Sequence, residues 1–134
     1  MIVADTNLLL YFYVFSEHSL PAEQAFNRDA DWAAPFLWRS EFRNALMLYL
    51  RKQILTLEEI SFIIQQAETL MRNNEYEVSS TTVINLAASS GCSAYDCEFV
   101  AVAQELKVLL VTVDKKVIRA FPETAIPLEK FVLQ

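Results

Sequence analysis

The chain has 134 residues, 54% of them hydrophobic, with 17 acidic against 11 basic side chains and a formal net charge of −6 at pH 7. That length and apolar content suit one domain, 1–134, with a well-packed core, and exclude a disordered chain; no apolar run approaches the roughly 20 residues of a membrane span. The acidic balance excludes a protein that grips nucleic acid by bulk charge, while Cys92 and Cys97, with the single His18 far away, make neither a disulfide framework nor a zinc site and read as packing residues.

Met1 leads directly into a short apolar run without a basic leader, so the expected compartment is the cytoplasm. The opening Ile2-Val3-Ala4 reads as a buried first strand that delivers Asp5 to its carboxyl end, where open parallel sheets bind ligands. Leu8 to Phe15 follows as a short apolar helix. Ser19-Leu20-Pro21 opens a second, with serine as cap and proline in the first turn, fading near Asn27 to Asp29. Trp32 to Pro35 suits a second strand, and Leu37 to Lys52 is a helix by spacing and by its strong helix formers. Thr56-Leu57-Glu58-Glu59 is a capping box that starts another helix, running to about Asn73 and forming a hairpin with the one before it.

Glu77 to Ser79 is the expected third strand, Thr81 to Ser90 a helix stopped by Gly91, and Ser93 to Leu106 a helix capped by Ser93. Val108 to Thr112 is an unbroken apolar run, as in a strand covered on both faces, and belongs beside strand one. Lys115 to Phe121 is a short helix, Ala125 to Leu128 an edge strand because of Pro127, and the last element ends near Phe131. The order predicts a three-layer α/β/α sandwich around a mainly parallel sheet of about five strands.

Four acids are placed to meet at one sheet edge. Asp5 and Asp114 end the two most apolar strands; Glu41 shares a helical face with Ala45 and Leu48; Asp96 begins the stripe Phe99, Val100, Ala103 in a helix's first turn. Each also has a purely structural alternative: Asp5 and Asp114 as helix caps, Glu41 paired with Arg39, Asp96 in a capping box with Ser93. Glu98 points about 200° around the helix from Asp96 and stays outside the set. Gathered together, four carboxylates raise one another's pKa until a cation compensates, and oxygen-only ligands suit magnesium or manganese.

The motifs Ile2-Val3-Ala4-Asp5-Thr6-Asn7, Glu41, Tyr95-Asp96-Cys97-Glu98-Phe99-Val100-Ala101-Val102-Ala103 and Leu110-Val111-Thr112-Val113-Asp114 resemble, in order and spacing, those of the PIN-domain family, most of all the VapC-type ribonuclease toxins of bacterial toxin-antitoxin modules. The resemblance covers almost the whole chain. It implies metal-dependent endonucleolytic cleavage of RNA, with Asp5 and Asp96 as central ligands of Mg2+ or Mn2+, and Glu41 and Asp114 binding the metal or orienting its waters. It also implies a pocket lined by Thr6, Asn7 and Thr112, a homodimer, and a small cognate antitoxin covering the pocket. Cys97, where alanine is usual, and Lys115-Lys116 after Asp114 depart from the commonest pattern. Arg39, Arg43, Lys115 and Lys116 are the candidates for the RNA backbone, by proximity to the acids. Apolar stretches such as Leu8 to Phe15 and Phe62 to Ile64 serve either the core or a partner surface.

Other readings are a catalytically silent PIN-fold scaffold and a phosphoryl-transfer domain of the HAD-phosphatase or receiver type. The phosphatase pattern wants a second aspartate where Asn7 stands, and the receiver a phosphoacceptor after a middle strand. A nucleotide-binding oxidoreductase is excluded because Gly91 is the only glycine and no phosphate-cradling loop can be built.

Overall fold

Two apolar runs that have no polar face to offer water, Ile2–Ala4 (β1) and Leu110–Thr112 (β4), lie side by side in parallel, with Val3 opposite Leu110 and Ala4 opposite Val111. Every residue of both is buried. The computed structural model describes residues 1–134. Around this pair the chain adds β2 (Trp32–Pro35), β3 (Glu75–Tyr76) and β5 (Ala125–Pro127), giving a five-stranded, all-parallel sheet in the order β3-β2-β1-β4-β5.

Eight helices complete the chain: α1 (Thr6–Tyr13), α2 (Ser19–Arg28), α3 (Leu37–Arg51), α4 (Leu57–Met71), α5 (Ser80–Ser90), α6 (Ala94–Leu106), α7 (Lys115–Ala120) and α8 (Leu128–Phe131). By the right-handed rule for parallel crossovers α1 to α4 and α5 to α7 belong on opposite faces; α1 packs on β1, α3 and α4 on β2, and α6 lies across β1, β2 and β4 with α5 against it. The sandwich is therefore the expected one. Strand order reverses between β1 and β4, so the crevice at their carboxyl ends is the topological switch point, the usual place for a ligand in an open α/β sheet.

Local chemistry sets the boundaries. Asp5 accepts a hydrogen bond from Leu8 N–H and caps α1, so the helix starts at Thr6 rather than at Leu8. Thr56 and Glu59 form the expected capping box, and Gly91 ends α5 in the left-handed conformation at φ +75° that glycine adopts without strain. Leu8, Leu9, Leu10 and Val14 are core, so the first apolar stretch mostly faces inward, while Phe15 and Phe62 stand exposed.

Two expectations are corrected. Ser19 does not cap α2: its hydroxyl accepts from Ser16 N–H and donates to Val14 C=O, bracing the preceding turn, and it lies inside the helix. The third strand is Glu75–Tyr76, not Glu77 to Ser79, because side chains fix its register and Ser79 is needed as the cap of α5. The Glu75 carboxylate accepts from Trp38 Nε1 at 2.8 Å and from Arg39 Nε and Nη2 at 2.5 and 2.8 Å, a bidentate clamp from α3 onto β3.

Arg39 holds the Glu75 carboxyl below the usual carboxylate range despite its burial. A lowered folded value means that this stability is present above the unfolded pKa, about 4.3, and is lost as pH falls below it. Glu75→Gln is expected to cost about 1–2 kcal/mol at pH 7. In urea unfolding the gap from the native chain should narrow as pH falls below the unfolded pKa; a gap that stays constant into the acid range would mean the charge is not what anchors β3.

Candidate active site

At the switch point all four predicted acids line one cavity of about 300 Å³: Asp5 from the end of β1, Glu41 from α3, Asp96 from α6 and Asp114 from the end of β4. Each is half-buried, closed in by protein except on the cavity side. Thr6, Asn7 and Thr112, the predicted polar lining, are present as well.

Threonine hydroxyls hold the carboxylates in place. Thr112 Oγ1 donates to Asp5 Oδ2 at 2.5 Å and accepts from Asp114 N–H at 3.0 Å, so one hydroxyl ties the ends of the two central strands together. Thr6 Oγ1 donates to Glu41 Oε1 at 2.7 Å, joining α1 to α3. Asp114 also caps α7, accepting from Lys116 N–H and Val117 N–H. Capping and pocket lining are thus compatible for Asp5 and Asp114. Asp96 donates its backbone N–H to Ser93 Oγ at 3.0 Å, which sets the helix start.

The environment pushes three of the acids upward. Burial raises Asp5 to about 6, against hydrogen bonds from Thr112 and Leu8 that lower it, with the nearby Asp114 charge adding to the rise. Burial raises Glu41, with Thr6 opposing and the Asp96 charge contributing. Asp96 is raised first by burial; Ser93 opposes, Asp114 adds to the rise, and Lys116 opposes it. These couplings place the carboxylates within one another's fields. They share the cavity without forming a preassembled metal cage, since no three of them are gathered closely enough to enclose an ion. A lining of four carboxylates with no lysine or arginine among them fits a hard divalent ion, which takes carboxylates and keeps part of its water.

The basic candidates separate. Arg39 does not line the cavity: it is bound to Glu75 and lies 3.3 Å from Glu68, so its alternative pairing with Glu41 is not made either. Arg43 is exposed on α3 and also outside the lining. Lys115 and Lys116 are exposed at the start of α7, directly after Asp114. Glu98 stays outside the lining as expected, although the Glu41 charge still raises it after burial does. Sequence reasoning missed Asn44, which lines the cavity; its position three residues after Glu41 was the available signal. Leu48, read as facing the core, is half exposed at the same cavity.

Comparison with known proteins bears on the family and the fold. The model of one family, described as the PIN domain, matches residues 2–123. Ribonuclease VapC3 of Pyrobaculum aerophilum is 25% identical over 129 residues, covering 94% of this chain and 98% of that protein. The crystal structure of PAE2754 from Pyrobaculum aerophilum superposes with a TM-score of 0.77 at 19% identity, over 98% of this chain and 93% of that one. FitAcB from Neisseria gonorrhoeae gives a TM-score of 0.76 at 13% identity, over 96% and 99% respectively. The two structures establish a shared fold.

Asp5 carries a cost that the metal-free protein reveals. Its folded pKa of about 6 lies above the ordinary 3.8, so the stability linked to its protonation is present below 3.8 and lost as pH rises through about 6. Two units correspond to roughly 3 kcal/mol. With a chelator present, Asp5→Asn is expected to be more stable than the native chain at pH 7.5, by up to about 3 kcal/mol, with the difference vanishing near pH 4. Thermal melts across that range test it, and parallel pH profiles for the two proteins would contradict it.

Proposed function

Because this chain belongs to the PIN-domain family, we propose that it is a metal-dependent endoribonuclease that hydrolyses RNA phosphodiester bonds, the toxin of a type II toxin-antitoxin pair. The observation that carries the reading is the meeting of Asp5, Glu41, Asp96 and Asp114 in one cavity with no basic side chain in its lining. The likeness to a protein named as a ribonuclease supports the substrate class.

In this reading Asp5 and Asp96 are the central metal ligands, and Glu41 and Asp114 bind the ion or orient its waters. A bound Mg2+ or Mn2+ supplies Lewis acidity toward water and toward the scissile phosphate. The chain's own residues do the positioning. Thr112 orients Asp5 and the backbone of Asp114, and Thr6 orients Glu41, so that these acids are held on the cavity wall before an ion binds. Lys115, Lys116 and Arg43 are the proposed contacts to the RNA backbone, exposed beyond the acids. Arg39 is held by its own ion pairs and is not proposed for that role.

The same reading includes a homodimer and a small antitoxin that covers the pocket, acting in the cytoplasm. Exposed large apolar side chains support partner contacts: Phe15 is 94% exposed, and Leu20 and Phe62 more than half. No helix is long and apolar enough to cross a membrane.

The test is cleavage of a mixed set of structured and unstructured RNAs by the purified chain. Cutting is expected with magnesium or manganese, not with EDTA, and is expected to fall to background in Asp5→Asn and Asp96→Asn. In parallel, saturating divalent ion should raise the melting temperature of the native chain, the linkage being worth about 2.7 kcal/mol at a hundredfold excess over Kd, and should leave both variants unmoved. No cutting and no metal-induced stabilisation would favour a catalytically silent scaffold. Lys115→Ala with Lys116→Ala should weaken RNA binding at all sequences and reduce the dependence of log K on log salt by about two; an unchanged salt slope would remove these lysines from the interface.

A further inference from the structure

An account of hydrogen-bond donors in the cavity leaves two side chains over. The Thr6 hydroxyl proton is given to Glu41 and the Thr112 proton to Asp5, the four acids offer acceptors when ionised, and no lysine or arginine lines the space. Only the carboxamides of Asn7 and Asn44 remain, both exposed and neither bonded within the fold. Asn7 lies two residues from Asp5, at the start of α1. Asn44 differs in its surroundings: it follows Glu41 by three residues on α3 and precedes Leu48 by four, so acid, carboxamide and leucine share one helical face.

That face changes from charged to apolar along its length. Ala45 and Leu48 follow Asn44 on that face and line the cavity with it, and Leu48 is 50% exposed, an apolar surface open to whatever enters beside the acids. A phosphate group would be poorly served by a neutral carboxamide among leucines. A nucleobase has the matching chemistry: a flat apolar face to lie on Leu48, and an edge with both a donor and an acceptor for the two ends of an amide. A cavity of about 300 Å³ is within the range that small ligands occupy.

We infer that Asn44 and Leu48 form a nucleobase subsite beside the carboxylates, in which Asn44 reads the edge of the base next to the scissile phosphate and so sets cleavage-site preference. The inference rests on the ribonuclease reading above and adds a specificity-determining residue to it. Leu48 supplies contact without discrimination, since every base has a face, whereas Asn44 discriminates because base edges differ.

The experiment is sequencing of cleavage ends from a randomised RNA pool, with the native chain, Asn44→Ala and Leu48→Ala, together with kcat and KM on the preferred sequence. Both positions are exposed, so folding is expected to be retained, and melting curves check it. The native chain should prefer one or two bases at a fixed position flanking the cut. Asn44→Ala should flatten that preference and lose on the order of tenfold to a hundredfold in kcat/KM on the preferred sequence only. Leu48→Ala should raise KM for all sequences while keeping the preference. A merely structural role for Asn44 would lower the rate on every sequence alike and leave the profile unmoved. A native chain that cuts while Asn44→Ala retains its cleavage profile overturns the subsite alone. A native chain that cuts no RNA overturns the ribonuclease reading and the subsite with it.

Discussion

The hydrogen bond from Thr112 to Asp5 is the contact on which the site and the centre of the sheet both depend. It joins residues 107 positions apart in sequence, and the same hydroxyl accepts from Asp114 N–H. Three consequences follow from one oxygen atom: the carboxyl ends of β1 and β4 are held in register, Asp5 is fixed in orientation, and Asp114 is brought to the start of α7. Without a hydroxyl at this point, the end of β1 would present a half-buried carboxylate with only backbone N–H groups, Leu8 foremost, to satisfy it. Desolvation without compensation is the costly case for an ionised group.

The arrangement therefore combines a stable sheet with an unfavourable site. The strands need their apolar residues covered on both faces, which forces whatever follows them into a crevice between helices. Placing carboxylates in that crevice raises the pKa of Asp5, Glu41 and Asp96 through burial and the charges of neighbouring acids, and the fold offsets this mainly with hydroxyl and amide donors, Lys116 adding a smaller opposing charge at Asp96. Hydroxyls orient a carboxylate without cancelling its charge. A site built this way stays electrostatically unfinished, which is what affinity for an external positive ion requires.

Much of this was legible in the residues because each signal has a local cause. The unbroken apolar runs fixed which strands are central, and the acids terminating them were bound to emerge at the same sheet edge. Glu41 and Asp96 were found from helical spacing alone. The errors came where a local pattern had several uses. Ser19 looks like a cap by sequence, but the turn before it needed both of its hydrogen-bonding functions. The third strand was displaced by two residues because its position is set by Trp38 and Arg39, more than 30 residues away, closing on Glu75. Asn44 escaped notice because its one signal, a place three residues after Glu41 on the same helical face, gains meaning only once the neighbouring wall of the cavity is known.

Arg39 shows how one ion pair settles two questions at once. By sequence it stands two residues from Glu41, as Arg43 does on the other side, and is an expected internal partner for that acid. In the fold it turns toward β3, where Glu75 engages it at two points and Glu68 lies beside it. This choice is favoured because a planar guanidinium matches a carboxylate at two points and because Trp38 adds a third donor to the same group. Had Arg39 turned to Glu41 instead, the edge strand would lose its anchor, and the cavity would gain a fixed positive charge competing directly with any bound ion. The clamp that completes the sheet thus also keeps the cavity free of an internal counter-ion. In the proposed enzyme, the positive charge that Arg39 withholds from Glu41 would be supplied by a bound divalent ion.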